Sequence, residues 1–371
     1  MNTIEQQVFR KRMPRRAATA EEFGWRQLAG RLQAPVLHAR VPVGEAHDEL
    51  LYEDVFASGR ARHLLGDLIA TADDDPTTVG AVTALVDAVC DDLVAAVATS
   101  GRTAALAECV PGLYAERILP GGRIDTWWLD AVLGLTITGG PELPAVRELA
   151  GYTVTVNGTR LSLDVPAAIR AARTALAPGG RWSTALTQGD PTEPNIADST
   201  AGGACWLDFE YAGRNIVAGE IANLLWYLLA LGGWLVPLHQ RDTYIRTLHL
   251  HLPPAAVPAI RHAEISTRHR HLDLDYTWPT GPGRRAALTR LLHRLAGDLG
   301  AAAHLPPGRE LESLQPFLTA RILGVIPPAL LGDDDLLLVL AKLAEVQSAA
   351  DQFTRTDPLP AALSSSLLER P

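Results

Sequence analysis

Apolar and polar positions change rhythm several times in the first sixty residues. Val8–Met13 (VFRKRM) reads as a short strand. Phe23, Leu28 and Leu32 recur at helical spacing behind Thr19, a candidate N-cap followed by Glu21 and Glu22, which predicts a helix over Ala17–Leu32 ended by Pro35. Val36–Val43 and Glu49–Phe56 are strand-like and are joined by Gly44–Asp48, so they predict a hairpin. From Arg60 onward helices dominate, beginning with amphipathic runs over His63–Ala72 and Val79–Thr99 on either side of the Asp-rich link Asp73–Pro76.

The segment Tyr152–Val165 breaks that helical run. It contains TVTV-NG-TRLSLDV, and Asn-Gly between two alternating runs signals a hairpin with a type I′ turn. A helix is expected over Val165–Ala177, stopped by Pro178-Gly179-Gly180. Two short strands, near Ser183–Leu186 and Ala204–Phe209, flank a polar loop. Ile216 to about Ser348 is expected to be mostly helical, and the Pro- and Ser-rich tail from Thr354 to fray. The apolar stretch Ile216–Leu238 carries Glu220 and Asn223, so it reads as a buried helix rather than a membrane span. No internal repeat is visible.

Composition narrows the function classes. The 371 residues are 47% hydrophobic and 20% charged, ordinary for a globular protein with a sizeable core. A net charge of −9 disfavours a nucleic-acid partner and suits a cationic small molecule. Three scattered cysteines argue against a disulfide framework or a zinc site, and the polar first 25 residues lack a signal segment. A cytoplasmic protein without a membrane partner is expected, with a homo-oligomer neither required nor excluded. Lys11 and Lys342 are the only lysines among 33 basic residues, so a lysine retained under this arginine bias is a candidate for chemistry.

The informative stretch is Thr187–Gly213, TQGDPTEPNIADSTAGGACWLDFEYAG. Its polar loop holds Asp190 and Asn195 and is braced by Pro191 and Pro194, while Asp208 ends an apolar strand. Phosphoryl transfer asks for such a set. One carboxylate orients and accepts the proton of the attacking hydroxyl, while a carboxylate and an amide oxygen hold Mg²⁺ on the nucleotide phosphates. The bland alternative is an Asx-turn loop. Glu220 reads equally well as a carboxylate bonded to these loops or as helix-dipole compensation, and Glu210 as a metal-site wall or a solvated side chain. Six histidines between His239 and His271, including His249 and His251, fit no established ligand spacing. Trp127-Trp128 and Trp226-Tyr227 read as core, and the Asp73–Asp75 and Asp333–Asp335 runs as loops or helix starts.

QGDPTEPN followed by LDFEYAG resembles the HGDxxxxN and I-D-F/W-E signature of the aminoglycoside phosphotransferase and choline kinase superfamily, over about residues 8–56 and 180–230. The resemblance implies an α+β, bilobal protein-kinase-like fold, with an N-lobe over residues 1–57 and a large, mostly helical C-lobe over 58–371 that carries the catalytic loop 187–213 and a hairpin insert at 152–165. It implies ATP and Mg²⁺ as cofactors, Asp190 as catalytic base, and Asn195 and Asp208 as metal ligands. Lys11 would steady the phosphates and Glu22 would position it, with Glu21 its rival for that role, while Leu51–Val55, with Glu53, Asp54 and Val55 at its end, would supply the hinge that binds the base. Gln188 stands where the family usually has His, and only seven residues precede the Lys11 strand. Either the start is placed too late in this sequence, or the N-lobe lacks the Gly-rich phosphate-covering loop. The implied function is an ATP-dependent kinase acting on a hydroxyl of an antibiotic, amino sugar or amino alcohol. A non-catalytic kinase-like binding protein is the alternative.

Overall fold

β1 (Val8–Pro14), α1 (Arg15–Leu28), β2 (Leu37–Val43) and β3 (His47–Glu53) form a small lobe. The structure is a computed structural model that describes residues 8–110, 113–130, 135–136, 142–143, 149–241, 257–353 and 367–368. The three strands pair antiparallel in the order β1-β3-β2, with Lys11 opposite Leu50 and Met13 opposite Asp48. Side chains alternate across a strand, so Phe9, Lys11 and Met13 share one face of β1. That face meets α1, and Met13, Ala18, Leu50 and Tyr52 close a small core between sheet and helix. The strand thus carries its lysine inward on the same side as its core residue.

The helix starts earlier than expected. Pro14, whose ring fixes φ near the helical value, directly precedes Arg15, so α1 begins there rather than after Thr19. Thr19 is no cap: its hydroxyl donates back to the Arg15 carbonyl at 2.9 Å inside the helix. The helix ends at Leu28, ahead of the expected Leu32, with Gly30 in the left-handed region. Tight packing dictates Gly24, because a Cβ there would lie 2.5 Å from the Phe209 carbonyl oxygen in the larger lobe.

The larger lobe opens with β4 (Ala61–Leu64), a short strand the pattern did not announce, then α2 (Leu65–Asp74), α3 (Val79–Ser100), β5 (Arg102–Ala105) and α4 (Ala115–Ile118). The two-residue strands β6 (Leu135–Thr136) and β7 (Glu142–Leu143) pair with each other. β8 (Tyr152–Val156) and β9 (Thr159–Leu163) make the expected hairpin, with Asn157 and Gly158 at φ of 47° and 78° as a type I′ turn requires. After α5 (Val165–Ala175) come β10 (Arg181–Thr187), β11 (Ile196–Ser199), β12 (Ala204–Trp206) and β13 (Gly213–Ile216). β10 lies between β13 and β5, and β11 between β12 and β4. α6 (Val217–Trp226) continues through wider turns at Tyr227–Leu235 into α7 (Val236–His239).

This long helix is apolar and long enough to cross a membrane by composition alone, but 94% of its most apolar stretch is buried inside the protein. Glu220 and Asn223 face inward with it. One expectation fails here: residues 259–279 are not helical. β14 (Ala259–Ser266) and β15 (His271–Pro279) form an antiparallel pair, and β15 runs parallel to β8. Leu272, Leu274, Tyr276 and Trp278 are buried in strict alternation, a period of two that the histidines and aspartates between them obscured. The 152–163 hairpin is therefore part of a larger mixed sheet. The Asp333–Asp335 run opens the last long helix, Asp333–Gln352.

Candidate active site

β10 ends at Thr187 and delivers the chain into a turn built on Gly189, at φ +95°. A Cβ at this position would sit 2.0 Å from the Tyr211 carbonyl oxygen, so only glycine fits. Gln188, almost wholly buried, ties the loop together. Its amide nitrogen donates to the Leu207 carbonyl at 2.8 Å and to the Asp208 carbonyl, and its oxygen accepts from the Asp190 N–H at 2.8 Å. The amide thus braces both arms of the loop. Asn195 lies on the single turn Glu193–Asn195, stiffened by Pro194, and its amide nitrogen donates to the Asp190 carbonyl at 3.0 Å. Its side-chain oxygen is left at the other end of the amide. Asp208 adopts a left-handed backbone, φ 57°, uncommon away from glycine and recurrent at functional sites.

Lys11 reaches across from the small lobe. Its Nζ donates to Glu21 Oε2 at 2.6 Å and to Asp208 Oδ1 at 2.9 Å, joining residues 197 positions apart. Burial alone would lower the Lys11 pKa, but the carboxylates of Asp208 and Glu21 outweigh it and raise it, so the ammonium stays charged. Burial, with Asp208 adding to it, pushes Glu21 up to about 7, against the pull of Lys11. The partner of Lys11 on α1 is therefore Glu21 and not Glu22. Glu22 lies one residue, about 100°, further round the helix and pairs instead with Arg26 at 2.6 Å and Arg40 at 3.1 Å. The expected role of Glu22 is corrected to its neighbour, which is 1% exposed.

A cavity of about 490 Å³ runs between the lobes. Lys11, Glu21, Asn195 and Asp208 mark its polar side, and Phe9, Pro35, Val55, Leu64, Leu207 and Phe209 its apolar side. Glu53, Asp54 and Val55 line it at the crossing between lobes, where the hinge was expected. The side chains of Glu53 and Asp54 are occupied in shaping that crossing. Glu53 accepts from Ser58 at 2.9 Å and pairs with Arg60 at 2.5 Å, and Asp54 accepts from the N–H groups of Phe56 and Ala57 at 3.0 Å each. The Glu53 N–H goes to Val36 and the Val55 carbonyl accepts from Ala61, both at 2.8 Å, so these two backbone groups are already paired.

Asp190 does not line this cavity; its carboxylate is held by Asn223 and Arg321. Asn223 donates to its Oδ1 at 2.6 Å, and Arg321 Nη2 lies 3.5 Å from the same oxygen. Glu220 accepts from the Thr187 hydroxyl at 2.8 Å and from the Gly189 N–H at 3.3 Å, so it binds the loop. Burial pushes its pKa up to about 8. Glu220 and Asn223 are three apart on α6, hence on one face, and two polar residues at that spacing in an apolar helix were the available signal. Arg321 has no such sequence context. Glu210 is half-buried, and burial raises its pKa.

Other candidates fall away from the cleft. Lys342 is wholly buried against Glu345 at 2.7 Å, over the rings of Tyr276 and Trp278. No cluster of metal-ligating side chains occurs among the described residues, which do not include His249 and His251. His271 bonds to Thr153 and Thr155, and His239 pairs with Asp335. Trp128 and Trp226 are core.

No family model and no curated protein matches the chain. Solved structures similar to it include an aminoglycoside phosphotransferase from Streptomyces rimosus in complex with ADP and streptomycin, 14% identical, covering 87% of this chain and 88% of that one at a TM-score of 0.42. An amicoumacin kinase in complex with AMP-PNP and Ca²⁺ is 13% identical, covering 93% and 80% at 0.41, and a glucosamine kinase is 13% identical, covering 93% and 72% at 0.39. The chain is thus similar, at these levels, to small-molecule kinases of mixed α+β fold, and the case for its chemistry rests on the arrangement of its own side chains.

Proposed function

We propose that this chain is an ATP-dependent small-molecule kinase that transfers the γ-phosphate to a hydroxyl group. The observation that carries this reading is the Lys11 ammonium, held between Glu21 and Asp208 in the wall of an interlobe cavity that apolar side chains also line. A purine fits against the apolar lining, between the crossing at residues 53–55 and the side chains of Leu64 and Leu207. The donor set suits Mg²⁺. Asp208 Oδ1 is committed to Lys11, which leaves Oδ2, and the Asn195 amide nitrogen is committed to Asp190, which leaves its oxygen. When bound, Mg²⁺ neutralises phosphate charge and orients the γ-phosphate for in-line attack.

The chain's own residues do the rest. Lys11 steadies the α- and β-phosphates, and Glu21 keeps its ammonium from swinging away. Asp190, fixed by Asn223 on Oδ1 and by Gln188 on its amide, orients the acceptor hydroxyl and takes its proton at the free carboxylate oxygen. Glu220 and Gly189 fix the turn that aims it. A nucleotide co-substrate places this activity in the cytoplasm, and no nucleic-acid or membrane partner is needed. The test uses the full chain. Mg·ADP should raise its melting temperature, and ADP release should appear with an acceptor from a panel of hydroxylated metabolites. Asp190→Asn should keep the thermal shift and lose turnover by about 10²–10⁴-fold, the usual worth of a general base. No Mg·ADP shift in the wild type, or turnover retained in Asp190→Asn, overturns the reading.

A further inference from the structure

Behind Asp190 lie two arginines that the transfer reaction does not require. Arg117 is 5% exposed and Arg321 is 3% exposed. Arg117 projects from α4, and its aliphatic stem crosses Gly324, where a Cβ would meet Arg117 Cδ at 3.1 Å. Gly324 ends the helix Glu310–Gly324 that also carries Arg321, one turn earlier. The two guanidinium groups are therefore brought to the same end of one helix, facing Asp190.

Their pairing there is incomplete. Arg321 comes no closer than 3.5 Å to Asp190 Oδ1, which is already bonded to Asn223. Arg117 Nε and Nη1 and Arg321 Nε are buried without a hydrogen-bond partner among the described residues. Burial drives the Arg117 pKa down, the positive charges of Arg321 and of exposed Arg123 push the same way, and Asp190 and Tyr211 pull it back only in part. On the acidic side, Glu220 spends its oxygens on Thr187 and Gly189, and burial favours its neutral form. Buried guanidiniums that repel each other and leave three nitrogens unpaired are costly to hold, and an oxyanion would supply partners.

We propose that Arg117 and Arg321 form an oxyanion site beside Asp190, so that the acceptor is a hydroxylated anion carrying a carboxylate or phosphate group rather than a cationic amino compound. The inference names the substrate class for the function proposed above and rests on that reading. Two guanidiniums fork onto one oxyanion, the acceptor's hydroxyl is held within reach of the Asp190 carboxylate, and the acceptor's charge adds to the single carboxylate that now faces two arginines. This reverses the preference that the net charge of −9 suggested, because the field at the reacting oxygen is set by these buried side chains and not by the surface.

Inorganic phosphate is the probe. The full chain is titrated with sodium phosphate against sodium chloride at matched ionic strength, and the melting temperature followed. Phosphate should stabilise the wild type specifically, and Lys11→Met, which disables the nucleotide end of the cleft, should retain the effect. Arg117→Met and Arg321→Met should each weaken apparent phosphate affinity by about tenfold or more, the worth of a hydrogen bond to a charged group. Absence of a phosphate-specific shift in the wild type overturns the proposal. So does a shift abolished in Lys11→Met, which would place the anion with the nucleotide. Both readouts stand even if an arginine variant fails to fold. A Mg·ADP titration on the same sample separates the two readings: nucleotide binding without a phosphate shift sinks the anion site alone, and the reverse sinks the kinase.

Discussion

Replacing Gln188 by alanine should loosen both ends of the candidate site at once. The side chain is 1% exposed and satisfies three backbone groups: the carbonyls of Leu207 and Asp208 and the N–H of Asp190. Each group left unpaired in a buried setting costs about 1 kcal/mol at the low end of the usual range, so the three together cost roughly 3 kcal/mol. The left-handed backbone at Asp208 then loses a restraint and relaxes, which carries its carboxylate away from Lys11. A loss of roughly 3 kcal/mol fits within the stability of an ordinary domain, so the variant should fold and be measurable. Urea unfolding reads the stability, and Mg·ADP titration reads the site. We expect the loss in the first together with at least about a tenfold loss of Mg·ADP affinity in the second. Gln188→His, which keeps one donor and one acceptor on a planar group, should recover much of both. An alanine variant within about 1 kcal/mol of wild type that binds Mg·ADP normally would refute the bracing role.

Two further outcomes follow from the same geometry. Glu21→Gln should weaken Mg·ADP binding by about tenfold, because a charge-assisted bond to Lys11 is lost, whereas Glu22→Gln touches surface pairs with Arg26 and Arg40 and should change stability by under about 1 kcal/mol and leave Mg·ADP binding alone; equal effects in Mg·ADP titrations would reverse the assignment. Glu220 is protonated in the folded chain up to about pH 8 but ionises near 4.5 when unfolded, so the unfolded state sheds its proton first and stability falls as pH rises through that window, by up to about 1.4 kcal/mol per pH unit. Glu220→Gln cannot ionise and should flatten the pH 5–8 stability profile measured by urea unfolding; an unchanged slope would count against a neutral Glu220.

The parts of the fold that were legible are those where local chemistry decides the outcome. Asn157-Gly158 could adopt only one kind of turn, and Gly189, Asp190, Asn195 and Asp208 sit close enough in the chain for their spacing to convey a shared loop. Lys11 was picked out by scarcity among arginines, and it does reach Asp208. What could not be read depends on rotation and on distance in the chain. Glu21 and Glu22 are adjacent in sequence but about 100° apart round α1, and where Pro14 starts the helix decides which one faces Lys11. β15 runs beside β8, more than a hundred residues earlier, a pairing that local propensity could not reveal. Arg117 and Arg321 meet only because α4 packs on the end of a helix two hundred residues further on.

The contact at Gly24 restricts how the molecule can breathe. That glycine seats α1 directly on the backbone of Phe209, and the chain just beyond the helix is fastened again by the Ser199 hydroxyl on Gln33 at 2.6 Å and the Trp206 N–H on the Gln33 carbonyl at 2.8 Å. A swing of the upper layer about the crossing at residues 54–60 would have to tear α1 from this seat. Any shift of Lys11 against Asp208 would therefore have to come from the three-stranded sheet bending above its anchored helix, and would have to stretch the bond that ties Lys11 to Glu21 on that helix.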